Sequence, residues 1–279
     1  MRTDHLFEYW NTDSAEVLNA VVDHLGPCDV FIGGSLADDL GTTTSDIDLY
    51  CFVRSEERGP QPPVNLTCGE ARLEVYVVNV AEAGASRGDS LRRLIAENPP
   101  VPPSQFPLLS PQRLRQLHAL YRDRALRAGA VAEEMRVSLA PDLLHIYASV
   151  RATLAAGALA EGLLTGANQG DIFPRLYHAR LIAELAIDAA LATHELVNPN
   201  PKWRLHLSER AALENPHFPP HGRILGALFP EISVPEQAIS QCLALAAECM
   251  RLVAGEGTLR RFPAVTESVE LIEAAAHGQ

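Results

Sequence analysis

Asp46 and Asp48 flank Ile47 at the start of an apolar run, residues 45–53 (SDIDLYCFV), which reads as a β-strand. Side chains alternate across a strand, so the two aspartates share one face while Ile47 and Leu49 share the other. Two ionised carboxylates side by side on a half-buried strand are costly unless cations neutralise them. Two Mg²⁺ ions about 3.5–4 Å apart would do so, and would stabilise the attacking and leaving oxygens of a displacement at phosphorus. Such a site calls for a third carboxylate on a neighbouring strand. Residues 71–80 (ARLEVYVVNV) supply a candidate: Leu73, Val75 and Val77 point one way, and Glu74, Tyr76 and Val78 the other. Glu74 is the only acid in that run. It has two open roles, metal ligand or general base toward an acceptor hydroxyl.

Phosphates need donors as well as metals. Ten residues before Asp46 stands Gly33-Gly34-Ser35, which ends a short buried strand at 29–33 and opens a short helix at 35–40. Glycines allow a sharp turn and close backbone approach to a ligand. The first N–H groups of a helix have no internal partner and face outward as anion donors, and the Ser35 hydroxyl can add another. No Gly-Lys-Ser/Thr follows the glycines, so this is not a Walker A loop.

Together, Gly-Gly-Ser, ten intervening residues, Asp-Ile-Asp and the LEVYVV strand resemble the DNA polymerase β-type nucleotidyltransferase superfamily. Within it the chain is most similar to the bacterial branch containing aminoglycoside nucleotidyltransferases. The match covers residues 29–80, somewhat under a third of the chain. The resemblance implies that Gly33, Gly34 and Ser35 bind the triphosphate, that Asp46 and Asp48 bind the metals, and that Glu74 completes the set. It also implies an NTP donor, ATP in the working reading, and a small hydroxylated acceptor. A homodimer follows from the same source, since some relatives complete the site across an interface. One departure is the acidic pair Asp38-Asp39, where many relatives carry a basic or small residue; it is expected near the nucleotide cleft or facing solvent.

Two further candidates lie downstream. The chain has one lysine, Lys202, against 22 arginines. A lone lysine in an arginine-rich chain points to a need for its compact charge. By resemblance to other bacterial nucleotidyltransferases, Lys202 would reach the β- and γ-phosphates with Trp203 packed beneath it; the alternative is a surface lysine. On a helix expected at 172–196, Tyr177, Arg180, Glu184 and Asp188 share a face. They form either a solvated face with an Arg180–Glu184 pair or a wall that contacts a cationic or hydroxylated acceptor.

The elements that must position these residues divide at residues 98–107 (NPPVPPSQFP), where five prolines favour an extended connector. The expected organisation is an α/β nucleotidyltransferase core with a mixed sheet at 1–98, a linker at 99–110 and an all-α bundle at 111–279. Before the linker, residues 14–25 read as a helix capped by Asp13, residues 54–69 as a polar connection and 88–97 as a helix. After it, helices are expected at 111–128, 131–138, 141–165, 172–196, 203–214, 235–254 and 264–276.

The 279 residues, 47% of them hydrophobic and 21% charged, are enough for two ordinary domains. The first residues carry neither a basic nor an apolar signal region, and no run of 18 uninterrupted apolar residues occurs, so a cytoplasmic protein with no membrane span is expected. The five cysteines include no CxxC pair and read as buried free thiols. A net charge of −12 argues against broad nucleic-acid binding and suits a cationic substrate. Two alternatives to small-molecule transfer stay open: nucleotidyl transfer to a protein or tRNA, and a non-catalytic nucleotide-binding module.

Overall fold

A computed structural model describes residues 3–54, 62–80, 91–96, 108–166, 171–230 and 234–278. The proline-rich segment therefore lies mostly outside the described residues, as do the ends of the helix expected at 88–97. The chain divides into two compact units, one of Met1–Ala96 with Leu109–Leu144, the other of Glu97–Leu108 with His145–Gln279.

The first unit is built on a five-stranded mixed sheet. Its elements run α1 (Thr3–Tyr9), α2 (Ser14–Leu25), β1 (Asp29–Ile32), α3 (Gly34–Ala37), β2 (Ile47–Val53), β3 (Val64–Cys68), β4 (Ala71–Asn79), α4 (Leu91–Ala96), α5 (Pro111–Arg122), β5 (Ala125–Arg127) and α6 (Ala130–Leu139). The spatial order is β3-β4-β2-β1-β5. Only β2 and β4 pair in parallel; the other three pairings are antiparallel. Asp13 caps α2 as expected, its carboxylate accepting from the Ala15 and Glu16 amides at 2.8 Å.

One face of the sheet is sealed by α1 and α2. Leu6, Phe7 and Trp10 join Val17 and Val21 over Val30, Ile32, Ile47, Leu49, Leu73 and Val75. These strand residues are the apolar half of the alternation, so the acidic half must face away from this core. The Trp10 indole N–H also donates to the Thr43 carbonyl at 3.0 Å, tying α1 to the loop that leads into β2.

Three elements differ from expectation. The polar connection at 54–69 contains β3, in which Val64, Leu66 and Cys68 are half-buried while Asn65 and Thr67 are exposed. A helix is also present at Thr3–Tyr9. The helix expected over 111–128 stops at Arg122, because Asp123 adopts a left-handed conformation (φ 51°) and the chain then extends as β5 along β1. The sheet is thus completed by chain that follows the proline-rich segment, and residues 109–144 lie with the first unit rather than with the helical one.

The second unit is helical. It contains α7 (Leu144–Leu164), α8 (Ile172–Thr193), α9 (Arg204–Glu214), α10 (His221–Leu228), α11 (Pro235–Gly255) and α12 (Pro263–His277). α10 is an addition to the expected set. In α8, Ala179, Ile182, Ala183, Ala186, Ile187 and Ala190 are fully buried, so this helix runs through the middle of the unit. Segments 141–164 and 235–255 are long and apolar enough to cross a membrane, with mean hydropathy 1.3. About half of each is buried within the protein, as in core helices of a bundle. All five cysteines are free thiols, four of them buried and Cys68 half-buried.

Candidate active site

The acidic face of the sheet is set by the parallel register of β2 and β4, which places Asp48 beside Glu74 and, one step further, Tyr50 beside Tyr76. The two tyrosine rings stack at 5.0 Å with an interplanar angle of 11°. Tyr76 stands two residues after Glu74, on the same strand face. Burial first, then for Tyr76 the neighbouring Glu74 carboxylate and for both the Asp48 charge, pushes the two phenols well above their ordinary range. The Arg115 guanidinium on α5 pulls against that shift at both rings. Both tyrosines are therefore neutral donors at physiological pH.

The glycine turn presses onto this face. The Gly33 amide donates to the Asp48 carbonyl at 2.8 Å, extending the β1–β2 pairing by one step. A Cβ on Gly33 would lie 2.3 Å from Tyr50 Cε2, and one on Gly34 would lie 1.6 Å from Asp48 Oδ2. Gly34 also has φ +58°, a conformation that L side chains rarely adopt. Only glycine satisfies both demands. The helix that follows is a single turn, Gly34–Ala37. The amides of Gly34 and Ser35 stand at its start, where the first N–H groups of a helix have no intrahelical partner.

Asp46 behaves differently from Asp48. It precedes β2, and its Oδ1 accepts from Arg72 Nε at 2.8 Å, while Arg72 Nη2 donates to the Thr44 carbonyl at 3.2 Å. Asp46, Arg72, Glu74, Asn65 and Thr67 line a cleft of about 790 Å³ within the first unit. Oxygen donors of this kind suit Mg²⁺. Yet among the described residues no three His, Cys, Asp or Glu side chains are grouped to hold one ion. Asp48 and Glu74 are adjacent in register, while at Asp46 a guanidinium stands where a cation would be needed. The donor set fits a divalent ion only if Asp46 exchanges Arg72 for it.

No protein-family model and no curated protein matches the chain. The chain is similar to the solved structure of a nucleotidyltransferase-like protein from Exiguobacterium sibiricum, with 11% identity, a TM-score of 0.43, and coverage of 90% of this chain and 77% of that one. So loose a likeness carries no argument about function.

The two acids after the turn differ: Asp38 is buried, whereas the Asp39 side chain stays partly exposed. Asp38 is buried, its Oδ1 2.8 Å from Arg122 Nε and its Oδ2 3.3 Å from His118 Nε2. Asp39 receives a two-pronged contact from Arg124, with Nη1 at 2.9 Å from Oδ1. All three partners lie on the α5–β5 segment, so the acids tie the glycine turn to it. Sequence pattern alone missed Arg72, Arg115, Tyr50 and Tyr76. The tyrosines were within reach, since each stands two residues past a candidate carboxylate on the same strand face.

The downstream candidates lie in the helical unit. Asp188 accepts from Arg204 Nε at 2.9 Å, Arg204 Nη2 at 2.8 Å and Asn198 Nδ2 at 2.8 Å. Glu184 accepts from Arg204 Nη1 at 2.9 Å and from Arg180 Nε at 3.0 Å. Burial raises the Asp188 carboxyl above its ordinary range against the pull of Arg204. Arg180, Glu184 and Asp188 thus form one network around Arg204, and the expected Arg180–Glu184 pair is part of it. Lys202 is exposed in the turn before α9, with Nζ 5.8 Å from the centroid of the buried Trp203 ring.

Proposed function

We propose that the first unit is a metal-dependent nucleotidyl-transfer centre. It moves a nucleoside monophosphate, AMP from ATP, onto a hydroxyl of a small molecule and releases pyrophosphate. The observation that carries this reading is the contact of the Gly33-Gly34 turn with Asp48, beside which Glu74 stands in register. The N-terminal amides of the short helix thereby adjoin paired carboxylates. The resemblance of these motifs to DNA polymerase β-type nucleotidyltransferases supports the same reading, and the aminoglycoside branch suggests a cationic acceptor.

In this scheme the Gly34 and Ser35 amides hold the triphosphate oxygens. The acceptor oxygen attacks the α-phosphorus, the bond to the pyrophosphate oxygen breaks, and the acceptor proton passes to Glu74. Mg²⁺ bound by Asp48, Glu74 and a released Asp46 would supply positive charge to the phosphoryl oxygens and offset the carboxylates.

The test is transfer of label from α-labelled NTPs with Mg²⁺ and a panel of hydroxylated amines. Label in a small-molecule product, lost in Asp48→Asn, is the expected result. Label in the acid-precipitable fraction would instead assign a protein or tRNA acceptor. The bridge between Asp46 and Arg72 favours the non-catalytic module as a second reading. That reading predicts nucleotide binding indifferent to Mg²⁺ and no transfer.

A further inference from the structure

A polar cavity of about 160 Å³ lies inside the helical unit, lined by His145, Ser149, Thr193, Glu195, Glu256 and Thr258 among others. Ser149 is 1% exposed, and its Oγ has no hydrogen-bond partner among the described residues. A buried hydroxyl without a partner is unfavourable and rare, so something within the cavity should bond it. At a liquid share of about 30 Å³ per water, the space suits about five waters or one small organic molecule.

The lining also specifies charge. Glu195, Glu256 and the His145 ring line the cavity, and none of its lining residues is a lysine or arginine. Glu256 Oε1 already accepts from the Thr258 amide at 3.2 Å, which orients the carboxylate. Thr193 Oγ1 donates its proton to the Ala190 carbonyl at 2.7 Å, so toward the cavity it can only accept. The cavity thus offers acceptors and negative charge, with one uncommitted hydroxyl at its buried end. A metal ion is a poor match, because among the described residues no three metal-ligating side chains are grouped.

We propose that this cavity binds a small primary ammonium that carries a hydroxyl group. The ammonium donates to Glu256, with Thr193 Oγ1 as a further acceptor, and the ligand hydroxyl pairs with Ser149 Oγ. The assignment is independent of nucleotidyl transfer, since it involves neither Asp48 nor a nucleotide.

The test uses the full chain and ethanolammonium as probe, with binding followed by isothermal titration and ligand-observed NMR. Ethylene glycol and acetate serve as neutral and anionic controls. Saturable binding of ethanolammonium alone is expected, weakened about tenfold by Glu256→Gln through loss of the charge-assisted bond, and also weakened by Ser149→Ala. Glu256 is only partly buried, so Glu256→Gln remains informative if Ser149→Ala folds poorly. Equal binding by the wild type and Glu256→Gln, equal binding of ethylene glycol, or no saturable binding at all would overturn the proposal and leave a cavity filled by water.

Discussion

Gly34 and Asp48 approach so closely that a single methyl group on Gly34 would fall 1.6 Å from the Asp48 carboxylate. The turn and the acidic strand, separated by a loop in sequence, are therefore packed against each other with no room for a side chain between them. Gly34→Ala must both adopt φ +58° and displace Asp48. Destabilisation of about 1–3 kcal/mol is expected from overpacking. Thermal unfolding measures that loss, and nucleotide binding should fall with it. A variant with wild-type stability and binding would show that the contact is not tight.

Arg72 competes with any cation for Asp46. Both side chains are largely exposed, 67% and 45%, and exposed ion pairs contribute at most about 1 kcal/mol. Removing the competitor in Arg72→Gln should therefore tighten Mn²⁺ binding by up to about fivefold, most clearly at low salt. Titration calorimetry of the nucleotide-free protein measures this without reference to turnover. Unchanged affinity would mean that Asp46 takes no part in metal binding.

The network around Arg204 predicts a large stability effect. Asp188 and Arg204 are only 20% and 10% exposed in their side chains. Asp188→Ala leaves the guanidinium without its two-pronged partner, and removing one member of a buried pair costs about 3–5 kcal/mol. Glu184→Gln, which keeps much of the hydrogen bonding, should cost far less. If Glu184→Gln raises an acceptor KM without lowering Tm, Glu184 also contacts the acceptor. An unchanged KM confines the network to stability.

Cys242 gives a pH signature. Its thiol donates to the Ala227 carbonyl at 3.0 Å, and burial pushes its pKa from 9.0 to about 11. The folded state then holds the proton more tightly than the unfolded state. The resulting stability is fully present below pH 9 and is lost as pH rises through about 11. Denaturant titrations across that range should show a decline that is smaller in Cys242→Ala. Identical profiles would remove this thiol from the pH dependence.

Much of the first unit was legible locally. Asp46, Asp48 and Glu74 stood out because a strand repeats every two residues, and Gly33-Gly34-Ser35 because glycine marks a turn that other residues avoid. Strand β3 alternates in the same way, yet its short polar run between prolines and a Gly-Glu turn resembles a connection. Strand β5 has three residues and follows a helical pattern without a glycine stop, since Asp123 takes the left-handed position.

The sequence by itself determined which residues carry acid and donor chemistry, which face of each strand they occupy, and that helices follow the sheet. Tertiary structure alone decided their partners. Arg122, His118 and Arg124 reach Asp38 and Asp39 from about 80 residues away, and Arg72 reaches Asp46 across the sheet. Local periodicity reports a side chain's direction, whereas these pairings depend on strand order and on which later segment closes the sheet. The same holds for the cavity around Ser149, which exists only where α7, α8 and the turn after α11 meet.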